Sequence, residues 1–493
     1  MSLGRRLSTG VAWMFAGISV EQVCGFVIII ILARLLKAEG IGLFMMAMLF
    51  VIFAEFLVRD TIGDALISLD EVEPGHLDAA FWSLIGCSTL VAIFIVLLAQ
   101  PIALAYSEPI VARFLYWMWP TVTMIALGGV PTGVLRRKLE FRALALSATL
   151  GVVLGGVVGI SMALLGYGPW SLVGQRLVQI LFNNIVVWVA VDWRPGFRAT
   201  RRHFQDIRAF SVNILGLRAM EVISLQTPTF VIGYALGPAA LGYFTIAWRI
   251  VEATAFVLIT PVRFVAQPAF AELERAAGWA RELLRDMSEA SAMITFATFL
   301  GLAAVAGPAI YVLFGPGWEP AVPVLRVLCL VGIFLAIEKL QQAFCLATGH
   351  VGKLFALSAS EAVLGAALML AWAQYGLVAV AAAFVARYYL LWPIRFHIVK
   401  KIADVAIWQY FKVFISPFAA AATMAGAVLG WQHFMAGRLS ELVMLVSAVI
   451  IGIAVYGTIL LATMQRRVRR ILLFARSGGM PPGYGDGAGG WAQ

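Results

Sequence analysis

Leu135-Arg136-Arg137-Lys138-Leu139-Glu140-Phe141-Arg142 joins two apolar runs, 109–135 and 141–166, and the second run ends in Gly166-Tyr167-Gly168-Pro169-Trp170. The first connection is dense in cations. The second is a Gly/Pro turn with none. The alternation continues outward in both directions. Fourteen apolar segments can be drawn, at 9–36, 41–67, 79–106, 109–135, 141–166, 169–191, 209–236, 239–264, 290–314, 321–347, 353–375, 377–397, 410–433 and 440–464. One set of connections with its flanking segment ends, both termini included, holds 25 of the 36 Lys and Arg residues. The other set holds only Arg34, Lys37, Arg113 and Arg438. Translocating Lys and Arg is disfavoured, so cationic loops stay cytoplasmic. The expected fold is an all-α polytopic membrane protein of about fourteen transmembrane helices. It would lie in a bacterial inner membrane, with both termini cytoplasmic.

Composition agrees. The chain is 62% hydrophobic and 13% charged, with a mean hydropathy of +0.93, which excludes an ordinary soluble protein. Spans of about 20 residues each cross about 30 Å of hydrocarbon, and fourteen of them leave little chain for an extramembrane domain. The net charge of +10 reads as cytoplasmic orientation and attraction to anionic headgroups, not nucleic-acid binding. Cys24, Cys87, Cys329 and Cys345 all fall inside apolar segments and read as small core residues. Arg5-Arg6 before an apolar run resembles a signal peptide, but the run is long and carries Glu21, so an uncleaved first helix is expected. Residues 477–493 hold seven Gly and two Pro and read as a disordered tail.

The chain repeats at a spacing of 200. Laid against 209–256, residues 9–56 match Glu21 to Glu221, Leu36 to Leu236, Gly42 to Gly242, Phe44 to Phe244, Ala47 to Ala247 and Phe56 to Phe256. Six segments per unit is an even number, so the units are parallel repeats about an axis along the membrane normal, a design that places substrate between halves. The expected organisation is a six-helix bundle over 1–192 and a cytoplasmic basic connection over 193–208. A second bundle over 209–397 follows, with an amphipathic interfacial helix at 269–287. Helices 13 and 14 occupy 398–465, and a basic, then Gly/Pro-rich tail occupies 466–493. The run Gly151, Gly155, Gly159 is a close helix-packing surface.

Charges at mid-span are costly, about 2.5–3.5 kcal/mol each on insertion scales, and must face a bundle interior or a wet cavity. Arg218, Arg249, Lys339 and Arg387, with Arg176 and Arg326 nearer the rims, are the candidate substrate-binding cations. Arg218/Glu221 and Arg249/Glu252 are three apart, on one helix face, so mutual neutralisation and an anion-binding cavity both stay open. Glu21, Glu55 and Glu221 are ion-coupling candidates, because a desolvated carboxyl binds and releases protons near neutrality. Structural pairing with an Arg from the other half remains the alternative. The five histidines show no clustering in sequence. The acidic connection from Asp60 to Asp78 reads as a solvated loop. No catalytic residue, metal site or cofactor is expected; coupling to an H+ or Na+ gradient stays open.

Several stretches together resemble the polysaccharide exporters, the O-antigen and exopolysaccharide flippases of colanic acid exporter type. These belong to the multidrug/oligosaccharidyl-lipid/polysaccharide flippase superfamily. The stretches are Ala33-Arg34-Leu35-Leu36 with Gly40-Ile41-Gly42-Leu43-Phe44, the segment Pro131 to Arg142, Gly166 to Leu172, and Ile232-Gly233 with Leu241-Gly242-Tyr243-Phe244. The resemblance spans roughly residues 1–465. It implies alternating access of two bundles to an undecaprenyl-diphosphate-linked oligosaccharide, in cooperation with a polymerase and an export complex. Relatives often carry an acidic residue just before the Ile-Gly step, where this chain reads Gln226-Thr227-Pro228-Thr229-Phe230-Val231. Arg and Lys suit the diphosphate. The runner-up is an organic-cation antiporter of the same superfamily, which would favour an acidic cavity. A membrane polymerase or ligase is the distant alternative, disfavoured by very short outer connections and by the lack of paired carboxylates.

Overall fold

Two residues, Lys37 and Gly237, interrupt the two longest helices. In the computed structural model, α1 runs Leu3–Ser68 and breaks at Lys37, with φ 59° and ψ 173°. The helix α6 runs Arg201–Arg275 and breaks at Gly237, with φ 83° and ψ −178°. The structure describes the backbone of residues 3–68, 72–275, 280–347, 351–403, 407–463 and 465. Side chains are described for 13–58, 72–206, 220, 222–259, 284–335, 337–345, 352, 356–398, 400, 408, 411–463 and 465. Where a separate interfacial helix was expected at 269–287, residues 269–275 continue α6 and residues 280–287 open α7, with 276–279 outside the described residues; the tail at 466–493 also lies outside them. Gly takes a positive φ without penalty, whereas Lys37 sits in a region that is essentially Gly-only.

Between and after these long helices lie α2 (Pro74–Tyr106), α3 (Pro109–Arg137), α4 (Phe141–Leu164) and α5 (Trp170–Ala190), then α7 (Ala280–Ala304), α8 (Ala306–Phe314), α9 (Ala321–Ala347), α10 (Val351–Trp372), α11 (Leu377–Ala403), α12 (Ile407–Met435) and α13 (Glu441–Thr463). Among the described residues, 12 helical stretches are long and apolar enough to cross a membrane. The two longest, Trp13–Val58 and Val222–Ile259, contain the breaks at Lys37 and Gly237 and so supply two passes each. Fourteen passes result, and the chain is a multi-pass membrane protein.

Contacts divide the chain into two compact units: 1–246 with 358–384, and 247–357 with 385–493. In the first, α4 packs along α5, and α1 packs on α3 and α4. The glycine stripe of α4 makes this possible. A Cβ on Gly151 would lie 2.7 Å from the Gln179 carbonyl oxygen, and one on Gly155 would lie 2.7 Å from that of Gln175. Lipid does not drive apolar helices together, so close backbone approach is what holds them. In the second unit, α7 packs on α9 and α12, and α12 on α13. Ala304, Val305, Ala309, Val428 and Ala448 form a buried cluster there.

Candidate functional site

The second unit gathers charges where α9 and α11 run side by side. Phe334 and Glu338 on α9 face Tyr388, Trp392 and Arg395 on α11, residues spaced one turn apart on each helix. Arg395 donates to Glu338 Oε1 at 3.4 Å and lies over the Phe334 ring at 5.6 Å. Arg387 is fully buried. It donates to the Tyr388 hydroxyl at 3.0 Å, with its guanidinium 4.7 Å from that ring's centre. Lys339 donates to Gln342 Oε1 at 3.3 Å. Lys339, Arg395 and Arg387 all act electrostatically on the Glu338 carboxylate. Taken alone, these four residues are basic on balance. Beside them, Gln341 is buried, and neither amide atom has a hydrogen-bond partner among the described residues. A buried amide without partners costs roughly 1–3 kcal/mol, so this is a place that gains by accepting a polar ligand.

Of the sequence candidates, then, Lys339 on α9 and Arg387 on α11 lie on the two helices that Arg395 and Glu338 join. Arg249 is bonded to its own helix neighbour Glu252 at 2.8 Å, as the spacing of three predicts. Arg176 donates through Nη2 to both Glu55 oxygens, at 2.6 and 2.7 Å. A residue expected to bind substrate and one expected to couple an ion thus form one salt bridge between α5 and α1. Arg326 is exposed on α9, and Glu21 is half-buried on α1. The Arg218 and Glu221 side chains lie outside the described residues. Arg395 was missed as a site residue because it falls near the end of its segment and counts there as a cytoplasmic cation. Its spacing of eight from Arg387 puts both near one face of α11.

A cavity of about 380 Å³ elsewhere in the second unit is lined by Tyr311, Glu319, Gln432 and Glu441, among others. Backbone amides of Glu319 and Gly317 hold the Glu319 carboxyl below its usual range. Two carboxylates and no lining cation make this cavity a poor host for phosphate.

The histidines do cluster, contrary to their sequence separation. The rings of His76 and His203 lie 4.4 Å apart, and ligand atoms of Glu73, His76 and His203 fall within 4.8 Å of one another. Each ring closes a helix start in the same way. Glu73 N donates to His76 Nδ1 at 3.2 Å, and Thr200 N donates to His203 Nδ1 at 3.1 Å. With Nδ1 accepting, the ring proton sits on Nε2. His76 Nε2 then meets Asp206 at 3.3 Å, and His203 Nε2 meets Glu73 at 3.1 Å. Metal-bound histidines donate their other N–H. In this arrangement both rings accept there, so the four side chains are matched as a clasp and not as a cation-binding set.

Fourteen helical passes with charges gathered between two of them define a polytopic helical membrane protein. Residues 31–323, more than half the chain, match the family described as polysaccharide biosynthesis protein, and the chain belongs to that family. It is 27% identical over 467 residues to the succinoglycan biosynthesis transport protein ExoT of Rhizobium meliloti, covering 92% of each chain. It is 26% identical over 403 residues to the teichuronic acid biosynthesis protein TuaB of Bacillus subtilis, covering 78% of this chain and 81% of that one. The fold is similar to that of the lipid II flippase MurJ in an inward closed conformation. That likeness has a TM-score of 0.77 at 15% identity and covers 90% of this chain and 97% of the other.

Proposed function

We propose that this protein is a flippase, not an enzyme. It moves undecaprenyl-diphosphate-linked oligosaccharide from the cytoplasmic to the periplasmic leaflet of a bacterial inner membrane by alternating access. The observation that carries the reading is that α9 and α11, joined by Arg395 and Glu338, also carry Lys339 and the fully buried Arg387 inside apolar helices. Buried cations are costly and mark substrate pathways, and a diphosphate needs cations to leave water. Membership of a polysaccharide biosynthesis family and likeness to a transport protein named for succinoglycan support the glycan. Both termini are cytoplasmic in this reading, since the basic connections define that side. A polymerase and export complex would take the delivered repeat unit. Coupling to an H+ or Na+ gradient through Glu21 is part of the proposal. Glu55 is ion-paired with Arg176.

The test is deletion in a strain with no second flippase, followed by analysis of lipid-linked oligosaccharides. The repeat unit should accumulate on the inner leaflet, and wild-type but not Lys339→Gln/Arg387→Gln protein should restore export. Normal surface polysaccharide in the deletion strain rejects the reading.

A further inference from the structure

The connection between α5 and α6 is short, basic and held unusually firmly. The buried carboxylate of Asp78 accepts the backbone N–H groups of Gly196 at 3.0 Å and Arg198 at 3.2 Å. Trp82 Nε1 donates to Gly196 O at 2.9 Å, and its ring stacks on Phe197 at 5.0 Å and 15°. Arg194 donates to Trp193 O at 2.9 Å and lies 5.7 Å from the centre of Trp188. The histidine clasp fixes the next turn. The ledge presents mainly aromatic rings and cations outward, beside an exposed Asp192 and with Arg202 3.9 Å from Asp206. Phe197 is 87% exposed and Phe204 42%, and Arg198, Arg201 and Arg202 are all exposed. Lys138, at the end of α3, lies 4.0 Å from Asp192 and adds a cation to the same edge.

The position of the ledge identifies its partner. It follows the last residue of one membrane span, Ala190, and is pinned to the first turns of another that begins at Pro74. Such a ledge lies at headgroup depth. Leaving a Phe side chain in water costs on the order of 2 kcal/mol, whereas at this depth its ring enters the acyl boundary. Arginines beside it meet lipid phosphate. A merely solvated connection needs no such bracing; a preorganised one loses less entropy when it binds. We propose that residues 193–204 form a docking surface for anionic phospholipid headgroups, with Phe197 as an apolar wedge and Arg198, Arg201 and Arg202 as phosphate ligands. This surface shares no residue with the cation cluster and does not depend on the transport reading.

The full chain, tag-free in neutral detergent, should be titrated with mixed micelles of phosphatidylglycerol, of phosphatidylcholine, and with inorganic phosphate alone, reading thermal stability. Phosphatidylglycerol should stabilise, phosphatidylcholine should do so weakly, and free phosphate should have no effect. Each arginine replaced in Arg198→Gln/Arg201→Gln/Arg202→Gln should weaken the apparent affinity for phosphatidylglycerol by about 5-fold, without changing stability in lipid-free detergent. Phe197→Ser should weaken both lipids alike. Equal stabilisation by the two lipids, an unchanged phosphatidylglycerol affinity in the triple variant, or stabilisation by free phosphate to the same extent would each overturn the proposal.

Discussion

Lys37 and Gly237, 200 positions apart in the chain, break their helices in the same backbone conformation: φ 59° and ψ 173° at one, φ 83° and ψ −178° at the other. The packing around them is reciprocal. A Cβ on Gly42 would overlap the carbonyl oxygen of Pro238, and a Cβ on Gly242 would overlap that of Ala38. Each glycine thus seats the residue that follows the other repeat's break. The same local solution is used twice, which is what a parallel duplication requires.

Lys37→Gly should therefore raise the melting temperature. A non-glycine in that region costs of order 1–3 kcal/mol, of which glycine's greater freedom in the unfolded chain takes back up to about 1 kcal/mol. Thermal unfolding in detergent checks this, and an unchanged or lowered midpoint contradicts it.

Gly42→Ala and Gly242→Ala should each destabilise by about 1–3 kcal/mol, the usual range for overpacking. Gly426→Ala, where nothing lies within 4 Å, is the control and should leave the midpoint unchanged or higher. Comparable losses at all three positions would show that the reciprocal contact does not matter.

The Arg176–Glu55 pair is bidentate and only partly accessible, at 23% and 12%. Breaking such a pair by removing one partner leaves an uncompensated charge and costs about 3–5 kcal/mol. Arg176→Gln should destabilise strongly, and Glu55→Gln/Arg176→Gln should recover much of the loss. A double-mutant cycle measures the coupling; additive effects would show that the two side chains do not depend on each other.

Arg395→Gln and Lys339→Gln should separate stability from transport. Arg395 is bonded to Glu338, so its loss should lower both the melting temperature and glycan export. The recorded hydrogen bond of Lys339 goes to the neutral Gln342, so its loss should lower export with little effect on melting. Export assayed alongside protein abundance in membranes distinguishes the two, and a Lys339 variant with full export would contradict its role.

Desolvation, and then the neighbouring Glu39, push the Glu108 carboxyl above its usual range. A folded-state pKa above the unfolded one means that ionisation opposes folding, so the penalty is present at neutral pH and fades as pH falls through the carboxylate range. Glu108→Gln should raise the melting temperature at pH 7 and make no difference once both forms are protonated. A constant offset across pH would contradict this.

The number of passes and their limits were legible in the chain because each depends on one-dimensional quantities: the length of apolar runs and the Gly/Pro turns between them. The α4 glycine stripe and the Arg249–Glu252 pair were legible for a similar reason, since both follow from periodicity within one helix. Pairings across elements were not. Nothing near Glu55 announces Arg176, nothing near Glu338 announces Arg395, and His76 and His203 stand far apart in sequence before their rings meet.

Sequence alone thus determined that this is a fourteen-pass helical membrane protein, because the bilayer imposes its thickness on each segment separately. Tertiary structure decided which charges on separate helices come together, Arg176 with Glu55 and Arg395 with Glu338. That outcome depends on how the helices pack, and packing brings together side chains that no local spacing links.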